Sequence, residues 1–129
     1  MSTFDRDLFE MGLARRKATL GEAYVQRSLD GADDLTRPFQ EAMTAWCWGF
    51  GWGDDAIDPK TRSMMNLAML GGMGKMHEWE LHCRGAIDNG VSVEEIRAIC
   101  HVVAIYCGVP QAHECLRSAR TVLEERSLI

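Results

Sequence analysis

The stretch from Ser92 to Pro110 constrains the fold of this chain more than any other. Ser92-Val93-Glu94-Glu95 is a capping box, in which the Ser92 hydroxyl accepts from the Glu95 amide while the Glu95 carboxylate reaches back to the Ser92 amide. From Val93 to Tyr106 the residues Ile96, Ile99, Cys100, Val102, Val103, Ile105 and Tyr106 make a helix that is apolar almost all round. Such a helix is expected to be buried on several sides. Gly108-Val109-Pro110 stops it.

The remaining periodicity is helical as well, and strand signals are weak. Phe4, Leu8 and Met11 open a first helix that runs through a charge-rich stretch toward Tyr24 and Val25, and Asp30-Gly31-Ala32-Asp33-Asp34 reads as a turn. A second helix is expected from Pro38 to Trp48, failing in Gly49-Phe50-Gly51-Trp52-Gly53. Asp58-Pro59 is an N-cap followed by proline in the first turn, so a third helix starts there. Gly71-Gly72 and Gly74 end or kink it, and a fourth follows from Lys75 to Asn89-Gly90. A last amphipathic helix carries Ala112, Leu116, Ala119 and Leu123. The pattern predicts an all-α chain, a single compact domain over residues 1–129 with about six helices.

Composition narrows the partners. The 129 residues suffice for one hydrophobic core without staples, and 47% apolar with 26% charged residues fits a soluble globular domain. Fourteen basic against nineteen acidic residues give a net charge of −5, which disfavours nucleic acid and anionic membrane, because both need a basic patch. The N-terminus lacks a basic segment leading into an apolar run, and no uncharged stretch reaches the roughly 20 residues of a spanning helix. Five scattered cysteines without a Cys-x-x-Cys fit a reducing, cytoplasmic setting.

The chemistry is expected on the fourth helix. Met76, Trp79, Cys83, Ala86 and Ile87 form its apolar stripe, and Glu78, His82, Gly85 and Asn89 run along one polar flank. Glu78 and His82 are i and i+4, so a carboxylate can orient the imidazole and raise its pKa, as a general acid or base near neutral pH needs. The bland alternative is a surface pair. His77 and His82 superficially suggest a zinc helix, but a spacing of five turns the rings roughly 140° apart, so no metal is expected. Cys83 faces the apolar stripe and should be inert, Glu80 and Arg84 form a solvated ion pair, and the glycines around Phe50 lack the Lys-Ser/Thr of a phosphate loop. Trp46, Trp48 and Trp52 suit core, subunit interface or the wall of a flat-ring pocket.

Several blocks together resemble the γ-carboxymuconolactone decarboxylase family. They are Arg15-Arg16-x-x-x-Leu20-Gly21-Glu22-x-Tyr24-Val25, Trp48-Gly49-x-x-Trp52, Ile57-Asp58-x-Lys60-Thr61-Arg62-Ser63, Leu67-Ala68-Met69-Leu70, His77-Glu78-x-x-x-His82, Asn89-Gly90, Glu94-Glu95-Ile96 and Ile105-Tyr106-Cys107-Gly108-Val109-Pro110. The resemblance implies an all-α, alkylhydroperoxidase D-like subunit, cofactor-free, assembling as a homotrimer or homohexamer. It also implies a place in protocatechuate breakdown, the β-ketoadipate pathway. The thiol-peroxidase branch of that superfamily carries a Cys-x-x-Cys four residues ahead of a His. Here those cysteine positions are Lys75 and Glu78, with His82 in the His position, which leaves the decarboxylase arrangement.

On that resemblance the expected reaction is loss of CO2 from a γ-carboxylactone, 4-carboxymuconolactone or a relative, to an enol-lactone. His82 is then the general acid/base and Glu78 its orienting partner. Arg16 and Arg62 are candidate clamps for substrate carboxylates. Trp48, Trp52 and Tyr106 are candidate pocket wall, with core packing the alternative for Tyr106. Asp54 stands where the family has an arginine, with Asp55 beside it, and is expected to repel a second anionic group on the substrate. Two other readings stay open: a hydro-lyase or isomerase on another small ring acid, and a non-catalytic oligomeric scaffold.

Overall fold

A computed structural model describes residues 5–129. Phe4, expected at the start of the first helix, lies outside the described residues. Seven α-helices and one π-helix form, and no strand occurs among the described residues. No helix among them is long and apolar enough to cross a membrane. The chain divides into two compact units, Met1–Asp58 and Pro59–Ile129.

In the first unit, α1 (Arg6–Leu20) begins at Asp5, whose carboxylate accepts from the amides of Asp7 and Leu8 at 2.8 and 3.2 Å. The helix does not run on to Val25 as expected. Gly21 adopts φ 93°, a left-handed conformation that ends the helix, and α2 (Glu22–Asp30) starts immediately after it. The buried face of α1 is Gly12, Arg16 and Thr19, with no large apolar side chain. It packs instead by close backbone approach. A Cβ at Gly12 would run into the Thr44 carbonyl and the Gly49 amide, and one at Gly49 would run into the Leu8 carbonyl.

Those contacts fall on a π-helix, Thr44–Gly51, which directly continues α3 (Arg37–Met43). The glycine run expected to break the helix is therefore largely helical, in the wider i→i+5 form. The Trp52 amide bonds the Cys47 carbonyl at 3.0 Å in that register. The missing side chain of Gly49 serves the passage of α1.

The second unit is a four-helix assembly of α4 (Pro59–Met73), α5 (Met76–Asp88), α6 (Val93–Cys107) and α7 (Val109–Glu125). Its core joins Leu67, Trp79, Cys83, Ala86, Ile96, Cys100, Val103, Cys115, Ala119 and Val122. Gly71 and Gly72 lie inside α4, and the turn comes at Gly74, with φ 73°. Gly71 gives room to the core: a Cβ there would lie 2.9 Å from both Cys115 Sγ and the Trp79 ring. The capping box forms as expected, with Ser92 N to Glu95 Oε1 at 2.9 Å and Glu95 N to Ser92 Oγ at 3.1 Å.

The expectation for α6 needs correction. Ile96, Ile99, Cys100 and Val103 are buried, but Val102, Ile105 and Tyr106 are exposed. Within the unit α4 and α7 pack on α6, and they cover only one side of it. Leu116 of α7, expected to face inward, is also exposed, and Ala112, Cys115, Ala119, Val122 and Leu123 make the buried face.

Gly12→Ala is expected to destabilise the protein strongly, by about 3 kcal/mol or more, because the methyl group would meet backbone that has no flexible end to move aside. Gly51→Ala is the control in the π-helix, since a Cβ there meets only the Trp46 carbonyl at 3.9 Å. Thermal unfolding should separate the two variants clearly, and equal melting temperatures would show that backbone contact does not hold α1.

Candidate active site

Each unit carries one buried polar centre. In the second unit it lies between α4 and α5. These consecutive helices are joined by a tight turn, so residues early in α4 meet residues late in α5. Ser63 and Asn66 are three apart on α4, and His82 of α5 lies seven residues before Asn89, the residue that caps its C-terminus, which puts each pair on one face. The pairing follows. Asn66 Nδ2 lies 3.5 Å from His82 Nδ1, and Asn89 Nδ2 donates to Ser63 Oγ at 3.0 Å.

His82 was expected on an exposed flank with a raised pKa. It is instead only 8% exposed, and its pKa is lowered to about 4. Burial is the dominant cause, because an imidazolium out of water loses its solvation; the charge of Glu78 acts in the opposite direction and is outweighed. Glu78 itself is exposed. His82 is therefore a neutral imidazole at neutral pH. The tautomer decides which of the two donates in that contact; where Asn66 Nδ2 donates to Nδ1, the ring proton sits on Nε2. Asn66 and Ser63 went unnoticed in the sequence, although their three-residue spacing on an apolar helix was a readable signal.

The other residues of this unit fall out as follows. Arg62 is buried on α4. Tyr106, a candidate for pocket wall or core, is not core within this unit: it is 84% exposed, in a last turn of α6 that is exposed from Ile105 to Cys107. Cys83 is buried, and its thiol is pushed up first by desolvation and then by Cys100, as its place on the apolar stripe implies. Arg84 binds Glu80 as expected and also Glu125, each at 2.8 Å. No cluster of three or more potential metal ligands occurs among the described residues.

In the first unit the centre is Arg16, 4% exposed on α1. Its Nη1 donates to Gln40 Oε1 at 3.0 Å and to Thr44 Oγ1 at 3.2 Å, and Thr44 in turn donates to the Gln40 carbonyl at 2.7 Å. Gln40 and Thr44 were not singled out in the sequence; they are an i, i+4 polar pair in an apolar run. Trp48 and Trp52 are buried and stacked, with ring centroids 4.7 Å apart, whereas Trp46 is exposed and stacks on Phe50. Asp54 is exposed, and its carboxylate accepts from the Ala56 amide at 2.9 Å, a local turn. Asp55 pairs with Arg15 at 2.8 Å.

The depressed pKa of His82 has a thermodynamic consequence. Its folded pKa of about 4 lies below the unfolded value of 6.5, so the unfolded chain binds the extra proton. Stability is full above pH 6.5 and falls as the pH drops toward 4, by up to about 3 kcal/mol. His82→Gln keeps a polar side chain of similar size without the titration. The acid-side loss of melting temperature between pH 6.5 and 4 should be visibly shallower in that variant than in the wild type, and parallel curves would show that His82 does not cause it.

The model of the carboxymuconolactone decarboxylase family matches residues 37–121, more than half of the chain. The chain is 42% identical over 111 residues to nitrosuccinic acid decarboxylase of Metarhizium robertsii, covering 86% of this chain and 78% of that protein. It is 29% identical over 121 residues to 4-carboxymuconolactone decarboxylase of Acinetobacter baylyi, covering 94% and 90%. The blocks that suggested the resemblance are thus carried by a match over nearly the full length, and the chain belongs to the carboxymuconolactone decarboxylase family as a decarboxylase-like enzyme.

Proposed function

We propose that this protein is a decarboxylase of a small diacid whose departing carboxylate sits on a carbon conjugated to an electron sink. Two such substrates are carried by the relatives' names: nitrosuccinic acid and 4-carboxymuconolactone. In nitrosuccinate the C–C bonding pair left by CO2 moves into the nitro group and forms a nitronate. In the lactone it runs through the double bond to the lactone carbonyl oxygen. A proton then adds to carbon. The substrate supplies its own electron sink, so no cofactor is needed in either case. The higher identity makes nitrosuccinate the first substrate to assay, and the lactone the second.

The observation that carries this reading is the buried neutral imidazole of His82, tethered through Nδ1 by Asn66. Its Nε2–H is suited to donate to an oxyanion as charge arrives, and a donor out of water is worth more than one in solvent. As negative charge builds beside it the ring becomes more basic, which suits it to relay the returning proton. Glu78 supports that positive charge from a distance. Arg62 is the proposed carboxylate anchor of the second unit and Arg16 that of the first, where the Trp48–Trp52 stack also lies, and Asp54 keeps anionic groups away from its own loop.

Purified protein incubated with nitrosuccinate should release CO2 and give 3-nitropropanoate by proton NMR, with unchanged rate after extensive chelation. His82→Gln should lower kcat by 100-fold or more, the usual range for losing a proton-transfer group, and Glu78→Gln by about tenfold or less. The wild-type rate should hold from pH 8 down to about 5.5 and decline toward pH 4 as His82 is protonated. Wild-type turnover by His82→Gln, or inertness toward both substrates, overturns the assignment.

We propose in addition that the subunit assembles as a homotrimer or homohexamer. The supporting feature is an apolar groove of α4 and α6, lined by Met64, Met65, Ala68, Ala98, Ile99 and Val102, with exposed Ile105 and Tyr106 along the same helix. An exposed patch of this kind marks an interaction surface. Light scattering should give an oligomer for the wild type and a smaller species for Val102→Asp; a monomeric wild type ends this part of the proposal.

A further inference from the structure

Arg16 is a buried cation without an acid. Among the described residues no carboxylate is bonded to it, and the groups whose charge acts on it are the Tyr24 phenol and the Cys47 thiol. Desolvation accordingly lowers its pKa. Burying an ion without a counter-ion costs several kcal/mol, so a chain that keeps one there gains from it in another state.

The hydrogen bonds show which side of the guanidinium is spoken for. Nη1 has two N–H groups, and Gln40 Oε1 and Thr44 Oγ1 take them. Both acceptors lie on the α3–π-helix segment, so they fix the plane of the group. Nε is buried and has no hydrogen-bond partner. The Nε–H and the nearer Nη2–H of an arginine point the same way in one plane, a fork matched to two oxygens on one carbon. The edge left over is thus the one that binds a carboxylate side-on.

We propose that the Nε/Nη2 edge of Arg16 is a binding site for a carboxylate, with Gln40 and Thr44 as its positioning residues. The site stands on the first unit's own geometry. An anion with two oxygens on one atom fills both N–H directions at once, which a halide cannot do.

The probe is succinate, read by calorimetry and by the shift in melting temperature, with chloride at matched ionic strength as control. Wild type should bind succinate and be stabilised by it. Arg16→Lys keeps a charge but not the fork and should bind at least tenfold more weakly, and Arg16→Met should not bind measurably. Neither variant need fail to fold, since Thr44 retains its bond to the Gln40 carbonyl and an unpaired buried charge is removed in Arg16→Met. Its melting temperature without ligand should be no lower than that of the wild type. Gln40→Leu tests positioning: it should weaken succinate while leaving the charge in place. Succinate binding by the wild type that is lost in Arg16→Met and weakened in Arg16→Lys upholds the site. No binding by wild type, equal binding by Arg16→Lys, or no stronger effect than chloride overturns it. Because binding is read without turnover, a protein inert toward both substrates that still binds succinate through Arg16 would sink the decarboxylase reading alone.

Discussion

Close backbone approach at glycine is the constraint on which the first unit depends. Gly12 lets α1 lie directly on Thr44 and Gly49 of the π-helix. Arg16 follows Gly12 by four residues and so rides on the same face, which drives a guanidinium into a position where Gln40 and Thr44 are its only bonded partners among the described residues. A larger residue at position 12 would lift α1 away and let water reach the charge. The contact that holds the helix and the burial that makes Arg16 unusual are one event.

The second unit repeats the logic with different parts. Gly71 admits the Trp79 ring and the Cys115 sulfur beneath α4, which draws α4 and α5 together. Ser63 and Asn66 then meet Asn89 and His82 across the seam. The short separation that completes the apolar core also removes His82 from water, and desolvation outweighs the nearby charge of Glu78. A neutral imidazole facing Asn66 is a product of packing density, not of the Glu–His pair alone.

This explains what could be read from the sequence and what could not. Helix stops at Gly74 and Gly108, the start at Pro59 and the capping box at Ser92 are local, and local chemistry wrote them plainly. The π-helix was not legible, because three glycines in five residues carry the same signal whether they break a helix or let another backbone touch it. The one-sided burial of α6 was illegible for a related reason. An all-round apolar helix states that its surface is covered, and leaves open whether the cover is the same subunit. His82 was found by spacing, but its pKa was expected to move the wrong way: Glu78 is visible at i−4, whereas the Asn66 face and the loss of water come from another helix.

The two buried ionisable groups point to a division of labour that follows from charge alone. Neutral His82 costs little to bury, and it gains most when negative charge develops beside it, so its interaction strengthens as a reaction proceeds. Arg16, in the first unit, keeps its charge and would hold a carboxylate by charge and fork geometry alone. For the proposed reaction, which generates charge on the substrate, an acid–base group that starts uncharged is the better starting point. Had the Glu78 charge prevailed over desolvation, His82 would begin as an imidazolium and bind a substrate's carboxylate before CO2 leaves, stabilising the ground state and raising the barrier. On the proposed reaction burial avoids that trap, and the close packing of α4 on α5 would then serve the chemistry as well as the fold.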